Sequence, residues 1–97
     1  MKEKVLAYLL TVPKGRVVTY GQIAEALGNR KAARAVGNIL HRNPDEEKYP
    51  CYKVVSSTGQ LSAKFAFGGI EKQKEKLEAE GIAVRNNRVD LKTYQLT

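Results

Sequence analysis

Thr19-Tyr20-Gly21-Gln22-Ile23-Ala24-Glu25-Ala26-Leu27-Gly28-Asn29 runs without a linker into Arg30-Lys31-Ala32-Ala33-Arg34-Ala35-Val36-Gly37-Asn38-Ile39-Leu40-His41, and this stretch decides the fold. Thr19 and Gln22 have the spacing of a capping box, in which an N-cap hydroxyl and an N3 amide each satisfy a backbone N–H that the first turn leaves without a partner. A short helix follows, with Ile23, Ala24 and Leu27 facing inward and Gly28-Asn29 closing it. A second helix is expected over 30–41, with Ala35, Val36, Ile39 and Leu40 as its apolar stripe. Two helices joined by so tight a turn predict a helix-turn-helix unit.

The opposite face of the second helix carries Arg34, Asn38 and His41 at i, i+4 and i+7. It is polar, basic and rich in hydrogen-bond donors. Its neighbours Ala32, Ala33, Ala35 and Gly37 are small. Small side chains allow a helix backbone to approach a nucleic-acid groove, but alanines also suit any solvated helix. On the residues alone the two readings stand level.

Outward from this unit, a first helix is expected over 2–11, with Val5, Leu6, Leu9 and Leu10 on its core face and Pro13-Lys14-Gly15 ending it. Arg16-Val17-Val18 reads as a short extended segment. Residues 43–50 form a loop with a proline near each end. Residues 52–55 are β-like, Ser56-Ser57-Thr58-Gly59 is a turn, and Gln60-Leu61 is expected to pair back on 52–55 as a small wing. Gly68-Gly69 opens a helix that reaches Glu80, with Gly81 as its C-cap. Residues 82–91, centred on Asn86-Asn87, resemble a closing hairpin. The expected fold class is mainly α with a small β wing, a winged helix-turn-helix-like domain over 1–97.

A chain of 97 residues suits one domain and can bury a core without disulfides. Its 42% hydrophobic and 28% charged residues are ordinary for a globular protein. The net charge is +7, and residues 1–44 hold eight basic against two acidic side chains. That imbalance favours a polyanion, through attraction to phosphates and counterion release. A ribosomal or membrane-surface role fits the same charge. Lys2, Glu3 and Lys4 precede only a short apolar stretch, so no signal peptide is expected, and no stretch approaches the length of a membrane span. A lone cysteine forms no internal disulfide, so a reducing cytoplasmic setting is expected. A monomer is also expected.

That cysteine, Cys51, lies between Pro50 and Tyr52. A single cysteine is most often a small buried hydrophobe. A reactive one needs a neighbour that stabilises the thiolate against an ordinary pKa near 8.5. Lys53 should point to the opposite side of an extended segment, and His41 is the chain's one histidine. No metal-ligand cluster, phosphate-binding glycine loop or serine-triad signature is present, so neither metal nor cofactor is expected.

Val17-Val18-Thr19-Tyr20-Gly21-Gln22-Ile23-Ala24, Ala32-Ala33-Arg34-Ala35-Val36-Gly37, Asn43-Pro44, Pro50-Cys51-Tyr52-Lys53-Val54-Val55 and Gly68-Gly69, in that order, resemble the O6-alkylguanine-DNA alkyltransferases. The likeness covers nearly the whole chain, but only that family's C-terminal, DNA-binding domain. In length the chain is similar to the alkyltransferase-like proteins. The resemblance implies a winged-helix domain that enters the minor groove of double-stranded DNA and rotates O6-alkylguanine out of the stack. It implies Arg34 as the finger that takes the vacated place and Tyr20 as the residue that helps turn the nucleotide. Ala33, Ala35, Gly37 and Asn38 would lie along the groove. Asn43 would brace the turn before the active segment, and Cys51 would accept the alkyl group, once per molecule. Glu80 would orient the residue after the cysteine.

Two departures stand out. The family's catalytic histidine directly follows its cysteine, and here that position is Tyr52, whose neutral phenol is a poor base at pH 7. The segment Ser62-Ala63-Lys64-Phe65-Ala66-Phe67 is about two residues longer than the family's pocket loop, so Lys64 and the two phenylalanines either form a different lid or simply pack. Three functions follow. The first, placed slightly ahead because Cys51 keeps its Pro-Cys frame, is an alkyl acceptor with Cys51, Glu80 and Tyr52 as its catalytic set, helped by Lys53, a helix dipole or a phenolate Tyr52. The second is a non-catalytic sensor that holds the lesion and passes it to nucleotide excision repair proteins. The third is a plain winged-helix regulator.

Overall fold

The structure, a computed structural model, describes residues 2–45, 47–62 and 68–96. Helix α1 spans Lys2–Leu9 and buries Val5, Leu6 and Leu9. It ends earlier than the sequence suggests. The N–H groups of Leu10, Thr11 and Val12 bond to carbonyls three residues back, which tightens the chain. Leu10 is therefore rotated outward, 55% exposed, and Val12 takes the core position instead.

Strand β1 (Val18–Thr19) leads into helix α2 (Tyr20–Ala26). The capping box is present in full. Thr19 Oγ1 accepts from the N–H of Gln22, and the Gln22 side chain accepts from the N–H of Thr19. Residues 28–29 make the turn, with the Asn29 side chain accepting from the N–H of Lys31. The second helix of the unit begins as a 3-10 turn, Arg30–Ala32, and becomes α-helical as α3 (Ala33–His41). Val36 and Leu40 are buried and Ala35 and Ile39 half-buried, close to the expected stripe. Ala32 is also buried, so it belongs to the core and not to the outer face.

The wing differs from the expectation. Cys51–Lys53 is a 3-10 turn, and only Val54–Val55 is strand (β2). That strand pairs in parallel with β1, Val18 opposite Val54 and Thr19 opposite Val55, and not with 60–61. All four of these residues are buried, and a two-residue strand gains more by joining another buried segment than by curling onto a solvent-facing one. Gln60 instead bridges Arg88, beside strands β3 (Val84–Arg85) and β4 (Arg88–Val89). Asn86 and Asn87 both adopt positive φ, 54° and 58°, as a two-residue hairpin turn between right-twisted strands requires. Gly59 sits against this hairpin at φ +85°, where any Cβ would meet the Val89 carbonyl oxygen at 2.2 Å.

Helix α4 (Gly69–Ala79) ends with Glu80 as its C-cap and Gly81 in the left-handed region. A last helical turn, α5 (Leu91–Tyr94), was not expected from the sequence. It brings Tyr94, Gln95 and Leu96 back beside β1, with main-chain bonds from Val17 to Tyr94 and from Leu96 to Val17. The apolar side chains form two clusters. One joins α1, α2 and α3 to Cys51 and Val54, and the other lies under α4 and the hairpin. Tyr52 packs against both, so the Cys51 segment lies at their seam. The expected class, mainly helical with a small β wing on a helix-turn-helix-like core, holds. No helix among the described residues is long and apolar enough to cross a membrane.

Candidate nucleic-acid interface

The capping box at Thr19 makes Tyr20 the first residue of α2, which aims its ring at α3. The ring lies against Gly37, where an added Cβ would sit 3.8 Å from Tyr20 Cε1. Burial pushes the Tyr20 phenol above its ordinary value, a hydrogen bond with Ser62 works the other way, and nearby Cys51 adds to the rise. Tyr20 is therefore a neutral hydroxyl at pH 7.

One cavity of about 570 Å3 is lined by Tyr20 of α2, by Ala33, Arg34, Gly37, Asn38, Leu40 and His41 of α3, and by Cys51, Ser62 and Gln73. Its volume lies within the usual range for sites that enclose a small organic group. The structure thus brings together five of the six residues expected to meet DNA, namely Tyr20, Ala33, Arg34, Gly37 and Asn38, with Cys51. Ala35 is half-buried and does not line the cavity. A second cavity of about 530 Å3, lined by Lys2, Asn38, Ile39, His41 and Arg42, shares Asn38 and His41 with the first. Its cations are Lys2 and Arg42.

Asn43 is buried, donates from Nδ2 to the Tyr49 carbonyl at 2.7 Å and accepts from the N–H of Asp45 at 3.0 Å. It ties the two ends of the loop before Pro50, as a brace would. Cys51 follows, 5% exposed, with its N–H bonded to the Tyr49 carbonyl at 2.7 Å.

Three donors converge on Glu80. Glu80 Oε1 accepts from the N–H of Gly15 at 3.0 Å and lies 3.1 Å from Lys53 Nζ. Glu80 Oε2 accepts a short hydrogen bond from the Tyr52 hydroxyl. Burial pushes the Glu80 carboxyl up, but the bonds from Tyr52, Gly15 and Lys53, with the Lys53 charge, outweigh it and hold the group below its ordinary 4.5. Lys53 is itself buried and also donates to the carbonyls of Val12 and Pro13, both at 3.3 Å. Lys76 Nζ stands 5.8 Å from the centre of the Tyr52 ring. So Glu80 does hold the residue after the cysteine. The Tyr52 hydroxyl, however, is turned to that carboxylate. The Lys53 ammonium is likewise engaged with Glu80 and two carbonyls.

Gln73 was missed by the sequence reading. It is wholly buried on α4, one turn before Leu77, and the signal was a polar residue on an otherwise apolar stripe. The expected lid of Lys64, Phe65 and Phe67 lies outside the described residues.

The family model described as 6-O-methylguanine DNA methyltransferase, DNA binding domain, matches residues 1–82. A DNA base-flipping protein of Vibrio parahaemolyticus is 39% identical over 93 residues, covering 95% of this chain and 91% of that protein. A bifunctional methyltransferase/endonuclease of Picrophilus torridus is 48% identical over 84 residues, 87% of this chain but only 28% of that protein. The chain therefore spans little more than a quarter of that longer relative. The crystal structure of Schizosaccharomyces pombe Atl1 in complex with damaged DNA containing O6-carboxymethylguanine superposes with a TM-score of 0.89 at 30% identity, over 99% of this chain and 94% of that one. By fold, by the cavity behind α3 and by these likenesses, the chain belongs to the 6-O-methylguanine DNA methyltransferase family, through its DNA-binding domain.

Proposed function

We propose that this protein recognises O6-alkylguanine in duplex DNA, working from the minor groove and holding the rotated base in the cavity that ends at Cys51. The observation that carries this reading is the meeting of Tyr20, Arg34 and Cys51 around one cavity. Arg34 is exposed on the outer face of α3, where a cation replaces a base that leaves the stack. Tyr20 stands behind it as a neutral donor beside the path the base would take. The relatives named for base flipping and the Atl1 complex with a carboxymethylated guanine support the same ligand class.

Transfer of the alkyl group to Cys51 is the second reading, and the thiol's place in the cavity supports it. The arrangement around Glu80 makes that transfer slow. A thiol reacts as its thiolate, and both Tyr52 and Lys53 are engaged with Glu80. The protein thus works mainly as a reader of damage, a monomer on cytoplasmic DNA that leaves the held lesion for nucleotide excision repair proteins. The test is binding of two matched duplexes, one with O6-methylguanine and one with guanine, at a single salt concentration. Tighter binding of the damaged duplex is expected, with Cys51→Ala retaining it. Equal affinity overturns the reading. Intact-protein mass after incubation reports alkyl transfer separately.

A further inference from the structure

Gln73 is the most deeply buried polar group at the cavity wall, with no exposed surface. Its Nε2 donates to the carbonyls of Tyr52 at 3.0 Å and Val54 at 3.1 Å, and its Oε1 accepts from the N–H of Ser62 at 2.8 Å. One side chain on α4 therefore holds the backbone on the C-terminal side of Cys51 and the start of the loop at Ser62. Ser62 in turn bonds to the Tyr20 hydroxyl. The connection runs from the floor of the cavity to the residue that faces the incoming base.

Burying an amide brings no net stability over an apolar side chain of the same shape unless its geometry is used. Only glutamine has this reach with two donors at one atom and an acceptor at the other. Lysine offers donors without an acceptor, and ionised glutamate would set oxygens against the two carbonyls. We infer that Gln73 is a positioning residue that fixes the spacing between the Cys51 floor and the Ser62–Tyr20 wall, and so sets which O6-substituted guanine the cavity accepts.

This inference rests on the lesion-reading function proposed above. The experiment compares wild type with Gln73→Met, Gln73→Lys and Ser62→Pro, each of which breaks the bond between Gln73 and Ser62, the last from outside the core. Dissociation constants for duplexes carrying O6-methylguanine, O6-benzylguanine or guanine are measured at one salt concentration, beside thermal unfolding. The ratio of undamaged to O6-methylguanine dissociation constants should fall about tenfold, the scale of a lost hydrogen bond, and the order of preference between the two lesions should change. A folded variant that keeps the wild-type ratio and preference overturns the inference, as does a loss shared equally by all three duplexes. Wild type that binds all three alike sinks the lesion-reading function itself, a result distinct from either.

Discussion

Gly37→Ala separates two explanations for the small residues of α3, because it moves stability and binding in opposite directions. Gly37 lies fifth in the nine residues of α3, where glycine costs about 0.8–1 kcal/mol relative to alanine. The protein has room for the methyl group. An ideal Cβ there meets only Tyr20 Cε1 at 3.8 Å and Cδ1 at 3.9 Å, ordinary van der Waals distances. The substitution should therefore stabilise the fold by about 0.8–1 kcal/mol, which for a domain of this size raises Tm by roughly 4–8 °C. Alanines elsewhere on the helix fit any solvated surface, but no argument from helix propensity selects glycine here. Gly37 lines the cavity, so its missing side chain is space that DNA would occupy. A methyl group forced into a close-packed contact costs on the order of 1–3 kcal/mol, roughly 5- to 150-fold in affinity. Calorimetric or fluorescence melting gives the first quantity, and duplex titration at fixed salt gives the second. A stabilised variant that binds DNA as tightly as wild type would refute the close approach of α3. A destabilised variant would refute the packing on which the argument stands.

Tyr52→His should place an imidazole beside Glu80 and raise the rate of alkyl transfer to Cys51 by about 10²–10⁴-fold, the usual contribution of a positioned general base. Intact-protein mass against time checks this, and an unchanged rate means that another group limits the thiol. The depressed Glu80 carboxyl stabilises the fold fully above its ordinary value of 4.5 and progressively less as pH falls through its lower folded value. The stability advantage of wild type over Glu80→Gln, full at pH 6, should thus shrink below pH 4.5, as read by urea unfolding across pH. Removing one partner of the buried Lys53–Glu80 pair, as in Lys53→Met, should cost about 3–5 kcal/mol in the same assay. Arg42→Ala should weaken binding to damaged and undamaged duplexes alike and lower the slope of log K against log salt by about one, as loss of a phosphate contact does.

What was legible in the sequence is what the chain decides locally. Thr19 and Gln22 announce their cap within four residues, and Asn86-Asn87 announces its hairpin within two. The outer face of α3 follows from helical periodicity alone, and the resemblance supplied roles for the residues upon it. What was not legible depends on contacts between distant segments. The parallel pairing of Val18–Thr19 with Val54–Val55 involves strands too short to leave an alternating pattern. The turn at Cys51–Lys53 lies between prolines and β-branched residues that read as extended. Leu10 fits the apolar stripe of α1, but a tightened last turn carries it outward. Lys53 was expected only to point away from Cys51 on an extended segment, and the fold reveals Glu80 and two carbonyls around it.

The replacement at position 52 changes more than basic strength. A histidine ring has two nitrogens on different edges, so it can donate to a carboxylate with one and take a proton with the other. A tyrosine has a single oxygen at the end of its ring. Once the Tyr52 hydroxyl donates to Glu80, a proton leaving the thiol reaches that oxygen only as the phenol proton passes to the carboxylate. A tyrosine here thus lacks the second edge that lets a histidine hold the carboxylate and take a proton at once. Meanwhile Glu80 receives three donors and remains fully used as a clamp between Gly15, Tyr52 and Lys53. The same carboxylate that would serve proton transfer here fastens the Cys51 segment to the loop after α1 and to the end of α4. On the lesion-reading function proposed above, a segment held this firmly serves to hold a base, and selectivity lies in shape and in Tyr20, Arg34 and Gln73 more than in the reactivity of Cys51.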